Sequence, residues 1–202
     1  MVQLKGLYAL TDERYTPFLE LESKVLELLK AGVKVVQLRD KNSKDEELLE
    51  KALNIQQICK KYGAIFIIND RVNLAKEIDA DGVHIGIEDE SLIKTRELLP
   101  DKIIGVSCYD DLERAILAQS QGASYVAFGS FFPSSTKPDA KKAPLELLKR
   151  AKKELKIPIC AIGGINETNI SLLKDADLIS IVKAVYEPRE IKENIKILKE
   201  LI

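Results

Sequence analysis

AIFIINDRVNLAKEIDADGVHI, residues 64–85, holds the reading that decides the fold. Residues 64–68 form a continuous β-branched and aromatic run, residues 72–78 carry a helical apolar spacing, and residues 82–85 return to an apolar run interrupted only by His84. A run without polar alternation is what a strand covered on both faces requires, so the unit reads as strand, helix, strand within a parallel sheet. The same beat fills the chain. Further runs stand at residues 6–10 (GLYAL), 33–38 (VKVVQL), 103–106 (IIGV), 125–128 (YVAF), 157–161 (IPICA) and 178–182 (LISIV). Helical patterns lie between and after them, at residues 19–30, 45–62, 91–98, 112–121, 144–155, 167–173 and 188–201. Helix-start signals are expected at Thr11 and Asp12, at Ser43 with Glu46, at Asp110 and at Asn166. Eight units in 202 residues give about 25 residues each, near the lower limit for a (β/α)8 barrel. An open doubly wound sheet would show fewer strands and a glycine fingerprint after the first, and none stands there. The expectation is an α/β chain, residues 1–202 forming one single-domain (β/α)8 TIM barrel of minimal size.

Composition narrows the partners. Hydrophobic content of 46% and charged content of 31% fit a globular protein with one substantial core. A net charge of −1 gives no reason to expect nucleic acid or an anionic membrane as partner, so any anion site must be a local gathering of cations. No apolar run approaches a membrane span, and the N-terminus lacks the pattern of a signal peptide. Cys59, Cys108 and Cys160 are far apart and without metal-ligand spacing, which reads as reduced thiols in a cytoplasmic protein. A homo-oligomer is left open.

In such barrels the chemistry sits where the strands end. The second run ends Gln37-Leu38-Arg39-Asp40-Lys41, and alternation along a strand puts Gln37, Arg39 and Lys41 on one face. An amide and two cations there suit a diphosphate, against the blander reading of a solvated turn. The third ends Asn69-Asp70-Arg71 and the fourth leads to Asp89. Each acid is also a reasonable helix cap, yet two carboxylates at neighbouring strand ends are a usual start for a Mg²⁺ site. The fifth supplies Ser107, a donor to an anion, beside Cys108, which has no evident histidine base. His84, the one histidine, lies inside a strand, where a buried hydrogen-bonded role is at least as reasonable as a catalytic one. After the sixth run come Gly129-Ser130-Phe131-Phe132-Pro133 and then Ser134-Ser135-Thr136-Lys137, hydroxyls and a cation that suit a phosphorylated ligand. The seventh ends in Gly163-Gly164, whose backbone can approach a phosphate closely, and the eighth ends Val182-Lys183. Two anion sites are therefore expected.

Together LYALTD, GVKVVQLRDK, FIINDRVNLA, IIGVS, YVAFGSFFPSSTK and IPICAIGGIN, in that order and spacing, resemble the thiamine phosphate synthase family across almost the whole chain. The resemblance implies a (β/α)8 barrel that joins 4-amino-5-hydroxymethyl-2-methylpyrimidine diphosphate to 4-methyl-5-(2-phosphoethyl)thiazole with Mg²⁺, releasing diphosphate. It implies pyrimidine diphosphate contacts at Gln37, Leu38, Arg39, Asp40, Lys41, Asn69, Ser107 and Lys137, with Arg39, Lys41 and Lys137 catalytic. It also implies metal ligands at Asp70 and Asp89, and thiazole phosphate contacts at Ser134, Ser135, Thr136, Gly164, Val182 and Lys183. A dissociative route follows, in which diphosphate leaves, the aminopyrimidine carries the cation and the thiazole nitrogen attacks. No strong base is needed. Three positions depart from the family pattern: Ile87 in place of Gln, Ser134 in place of Thr, and Lys183 in place of Ser. The rival readings are a thiazole tautomerase-like paralogue, which would place a histidine where Tyr109 stands, a Schiff-base enzyme using Lys183, and a catalytically weak phosphometabolite-binding regulator.

Overall fold

A computed structural model describes residues 3–87, 89–133 and 142–202. Among these, eight parallel strands close into a barrel in sequence order: β1 (Gly6–Leu10), β2 (Val35–Leu38), β3 (Ile65–Asn69), β4 (Gly82–Ile85), β5 (Ile103–Tyr109), β6 (Tyr125–Phe128), β7 (Ile159–Ile162) and β8 (Leu178–Ile181). β8 returns to pair with β1, Gly6 opposite Leu178 and Ala9 opposite Ile181, so no sheet edge is left exposed. Alternation sorts the side chains into two layers. Tyr8, Leu10, Val35, Ile65, Ile67, Tyr125, Cys160 and Leu178 fill the barrel interior. Ala9, Val36, Leu38, Phe66, Ile68, Val83, Ile104 and Val126 face outward beneath the helices.

The outer layer is made by α1 (Leu21–Lys30), α2 (Asp45–Lys61), α3 (Val72–Glu77), α4 (Leu92–Leu98), α5 (Leu112–Ser120), α6 (Glu146–Glu154), α7 (Lys183–Tyr186) and α8 (Ile191–Glu200). α1 shows the rule: Leu21, Val25, Leu28 and Leu29, spaced for one helical face, are all buried. The expected helix over 167–173 is instead a 3-10 turn, Ile170–Leu173. Asn166 Oδ1 accepts from Thr168 N and Oγ1, and Asn169 Oδ1 accepts from Asn166 N, local bonds that compete with a helical ladder. The expected helix over 188–201 starts later, as α8 at Ile191, because buried Asn194 holds Arg189 in the preceding loop by bonding both its N–H and its carbonyl. α7 is a separate short helix before it, outside the expected range. Several start signals also move. The cap bond of α2 runs one way, from Lys44 N to the Glu47 carboxylate, rather than between Ser43 and Glu46, and α5 begins at Asp111, whose carboxylate accepts from Arg114 N. Thr11 caps nothing; its hydroxyl accepts from Arg39 N and donates to Arg39 O, tying β1 to the end of β2.

β5 runs three residues past its expected end because its register against β6 shifts between Ser107 and Tyr109. No helix of the described chain is long and apolar enough to cross a membrane.

Candidate active site

A cavity of about 880 Å³ opens at the C-terminal ends of the strands. Its floor is polar although every strand beneath it is buried. Gln37 Nε2 donates to Tyr8 Oη at 2.6 Å, the Tyr8 and Tyr125 hydroxyls meet at 2.9 Å, and His84 bridges Tyr125 Oη and Ser107 Oγ, each at 2.9 Å. Gly105 makes room for this chain: a methyl group there would stand 2.1 Å from Tyr125 Cζ. Burial pushes the His84 pKa down to about 4 against the opposing pull of Asp89, so the ring is neutral at pH 7. Both its nitrogens are engaged, which suits a structural imidazole and not a general base. Burial likewise raises the Tyr8 and Tyr125 hydroxyls, keeping both protonated.

One side of the mouth gathers charge. Arg39 and Lys41 line the cavity, Arg39 Nη1 lying 3.8 Å from Glu13 and Lys41 Nζ 3.4 Å from Asp70 Oδ2. Asn69 lines the same wall. Asp70 holds a left-handed backbone (φ 63°) while its N–H donates to His84 O, a strained conformation set by the β3–β4 junction. Asp89 reaches back over this junction: its carboxylate accepts from Gly86 N and lies in hydrogen-bonding range of Asp70. Desolvation first, and the Asp70 charge second, raise the Asp89 pKa. Neither acid is a helix cap, since Ser91 caps α4 and no side chain caps α3. Two like charges held together favour a divalent cation. Among the described residues no third carboxylate, histidine or cysteine joins them, which leaves room for substrate oxygens and water, as Mg²⁺ prefers.

Two of the expected contact residues turn their side chains away from the cavity. Leu38 is 2% exposed in the layer between sheet and helices, because alternation sends it opposite to Gln37 and Arg39. Asp40 turns its carboxylate to Ser43 and to Asn42 N, and those bonds outweigh desolvation to hold its pKa low. It closes a turn. Neither side chain lines the cavity.

The opposite side of the mouth holds Gly164, Val182 and Lys183. Lys183 opens α7 and lies 3.5 Å from Glu187, with much of its side chain exposed. The glycine pair has a second use: Gly163 (φ 107°) and Gly164 (φ 62°) pack against the loop after β6, a Gly164 methyl standing 2.3 Å from Pro133 O. Phe131 N and Phe132 N donate to Ile162 O and Gly163 O, completing that junction. Ser134, Ser135, Thr136 and Lys137 lie outside the described residues. Cys108 is buried beneath α5 with its thiol pushed up to about 12 by burial, unsuited to nucleophilic work. Tyr109 and Ile87 line the mouth, both substantially exposed.

Sequence reasoning missed Tyr8, Tyr125 and Asp12. The signal was present, a hydroxyl or carboxylate at inward positions of otherwise apolar strands and at their ends, but hydrogen bonds between strands far apart in sequence are invisible in it.

A family model described as thiamine monophosphate synthase matches residues 7–185. A thiamine-phosphate synthase of Wolinella succinogenes is 44% identical over 92% of this chain and 87% of its own length. That of Methylococcus capsulatus is 45% identical over 90% and 82%. Among solved structures, a thiamine phosphate pyrophosphorylase from Pyrococcus furiosus superposes with a TM-score of 0.88 at 36% identity, covering 98% of both chains. A geranylgeranylglyceryl phosphate synthase from Thermoplasma acidophilum, at 19% identity and a TM-score of 0.71, shares the fold alone. With its closed eight-stranded barrel and a family match over most of its length, this chain belongs to the thiamine monophosphate synthase family.

Proposed function

We propose that this chain is a transferase that condenses 4-amino-5-hydroxymethyl-2-methylpyrimidine diphosphate with 4-methyl-5-(2-phosphoethyl)thiazole, giving thiamine phosphate and diphosphate. The observation that carries the reading is that one cavity carries cations at two places, Arg39 and Lys41 beside the acids Asp70 and Asp89, and Lys183 beside Gly164 and Val182. Two phosphorylated reactants can then lie with their uncharged ends facing each other, and holding them so removes much of the entropic barrier.

Arg39 and Lys41 take up the charge that develops on the departing diphosphate, Arg39 as a bidentate fork and Lys41 as a point charge. Both already carry carboxylate partners, Glu13 and Asp70, which keep the cations oriented before substrate arrives. Asn69 and Ser107 extend the polar wall between them. Asp70 and Asp89 would hold Mg²⁺, which supplies additional neutralisation of the diphosphate oxygens when bound. Lys183, with Gly164, Val182, Ser134, Ser135 and Thr136, is proposed to hold the thiazole phosphate, and Lys137 to contact the pyrimidine diphosphate. The neutral, doubly bonded His84 supports a reaction that needs no proton abstraction: the thiazole nitrogen attacks the cationic exocyclic carbon with its own lone pair. A tautomerase reading lacks its base, since Tyr109 stands at the expected position.

Mixing both substrates with Mg²⁺ and measuring thiamine phosphate tests the proposal. Product formation that disappears on chelation, and falls at least about 100-fold in Asp70→Ala and Lys41→Ala, is expected. No product from a folded protein that binds both substrates would sink the reading.

A further inference from the structure

The polar floor of the cavity is a single unbranched chain, Gln37–Tyr8–Tyr125–His84–Ser107, drawn from β2, β1, β6, β4 and β5. Each hydroxyl in it owns one hydrogen. Gln37 presents Nε2 to Tyr8, so Tyr8 accepts there and must donate to Tyr125. Tyr125 then donates to His84 Nδ1, which leaves the imidazole hydrogen on Nε2, directed at Ser107 Oγ. Ser107 accepts from the ring and keeps its own hydrogen to give. One amide therefore sets the sense of every bond, and reversal requires all of them to turn together in a buried, low-dielectric place.

We infer that this chain runs in one direction, from the Gln37 amide to the Ser107 hydroxyl, and that it presents the cavity with an acceptor (Gln37 Oε1) and a donor (Ser107 Oγ–H) matched to an aminopyrimidine and mismatched to its oxo counterpart. Gln37 Oε1 accepts from no other described residue, and both Gln37 and Ser107 line the cavity. An exocyclic amino group donates to the first and an unprotonated ring nitrogen accepts from the second. Replacing the amino group by a carbonyl sets acceptor against acceptor and puts a hydrogen on the ring, leaving the buried Gln37 amide and the partly buried Ser107 hydroxyl unpaired. Tyr8, Tyr125 and His84 touch one another and act through Gln37 and Ser107, so they are positioning residues. The specificity part of this inference rests on the proposed function; the direction of the chain does not.

The chain's single histidine makes the direction measurable. Nitrogen-15 NMR of protein labelled at histidine, without ligand, should show one neutral tautomer with hydrogen on Nε2. Hydrogen on Nδ1, or an interconverting mixture, overturns the inference. The second measurement is equilibrium binding, with Mg²⁺ present, of the 4-aminopyrimidine diphosphate and of its 4-oxo counterpart. The oxo compound should bind more weakly by on the order of 100-fold. Tyr125→Phe keeps the ring and cuts the chain, and should narrow that gap to about tenfold or less. Equal weakening of both compounds, or an unchanged gap, overturns the positioning role. Absence of thiamine phosphate from wild-type protein with the expected tautomer would remove the synthase reading and leave the direction standing.

Discussion

At the scale of single residues, the site is a set of charges held in check by neighbours. Lys183 is the position where the family pattern would have serine, and its ammonium stands near Glu187 at the cavity wall. If it reaches the thiazole phosphate, Lys183→Ser should raise the KM for the thiazole phosphate by about tenfold, roughly one charge-assisted hydrogen bond, with the pyrimidine KM nearly constant. Steady-state kinetics with each substrate varied in turn checks this. Asp12 shows the same economy at the end of β1. Two hydrogen bonds from Arg14, at 2.8 and 2.9 Å, hold its buried carboxylate below the ordinary range. A depressed folded pKa means the contribution is complete above the unfolded value of about 3.9 and is lost as pH falls through the lower folded value. Asp12→Asn should therefore cost roughly 1–3 kcal/mol at pH 7, with the difference from wild type shrinking as the pH falls from about 4 toward 2. Urea unfolding of both proteins across that range measures it. Charged residues such as Arg39, Lys41 and Asp70 were legible in the sequence because a charge ending an apolar run is conspicuous. Tyr8 and Tyr125 were not, because a tyrosine inside such a run looks like ordinary core.

At the scale of elements, alternation within a strand decided which of the expected residues turn their side chains to the cavity. Gln37, Arg39 and Lys41 share the inner face, while Leu38 and Asp40 belong to the packing layer and to a turn. Period two separates these two groups in the sequence itself, and Leu38 and Asp40 were expected as contacts only on the resemblance. Helix ends were less legible. Asn194 holds Arg189 outside the last helix and so delays its start, and nothing in the local periodicity announces such a bond. Gly105 makes a testable case of strand fit. Its methyl would enter the Tyr125 ring and hydroxyl, within 2.1 to 2.4 Å. Gly105→Ala should cost on the order of 1–3 kcal/mol by overpacking and should also disturb the His84 tautomer, since the displaced hydroxyl is the one bonded to Nδ1. Urea denaturation and the nitrogen-15 spectrum report the two effects separately.

At the scale of the whole molecule, closure of the barrel makes a dry wall with a wet mouth. The three cysteines are all buried, Cys59 and Cys108 between sheet and helices and Cys160 in the barrel interior beneath the cavity, and burial raises each thiol, Cys59 and Cys108 to about 12. Disulfide-exchange reagent at pH 8 should leave all three unmodified in native protein and titrate all three in denaturant. Reaction of any one in the folded state would show that the barrel opens locally at that strand or helix. Closure also explains the limits of the sequence. Strand number, order and burial are local statements, each run of β-branched and aromatic residues reporting its own need for cover on both faces, so the architecture could be read without coordinates. The cationic strand ends were legible for the same reason, and with them the family. What meets across the barrel is a different matter. Tyr8 and Tyr125 are separated by 117 residues, and the Tyr125–His84 and His84–Ser107 bonds span 41 and 23. Only the tilt and stagger of a closed sheet bring such groups within 3 Å, because inward side chains from different strands must share one narrow interior. The sequence alone determined a barrel of this family with charged strand ends; tertiary closure decided that its uncharged interior residues form a polar floor, since hydrogen bonds across a barrel depend on distance and not on order along the chain.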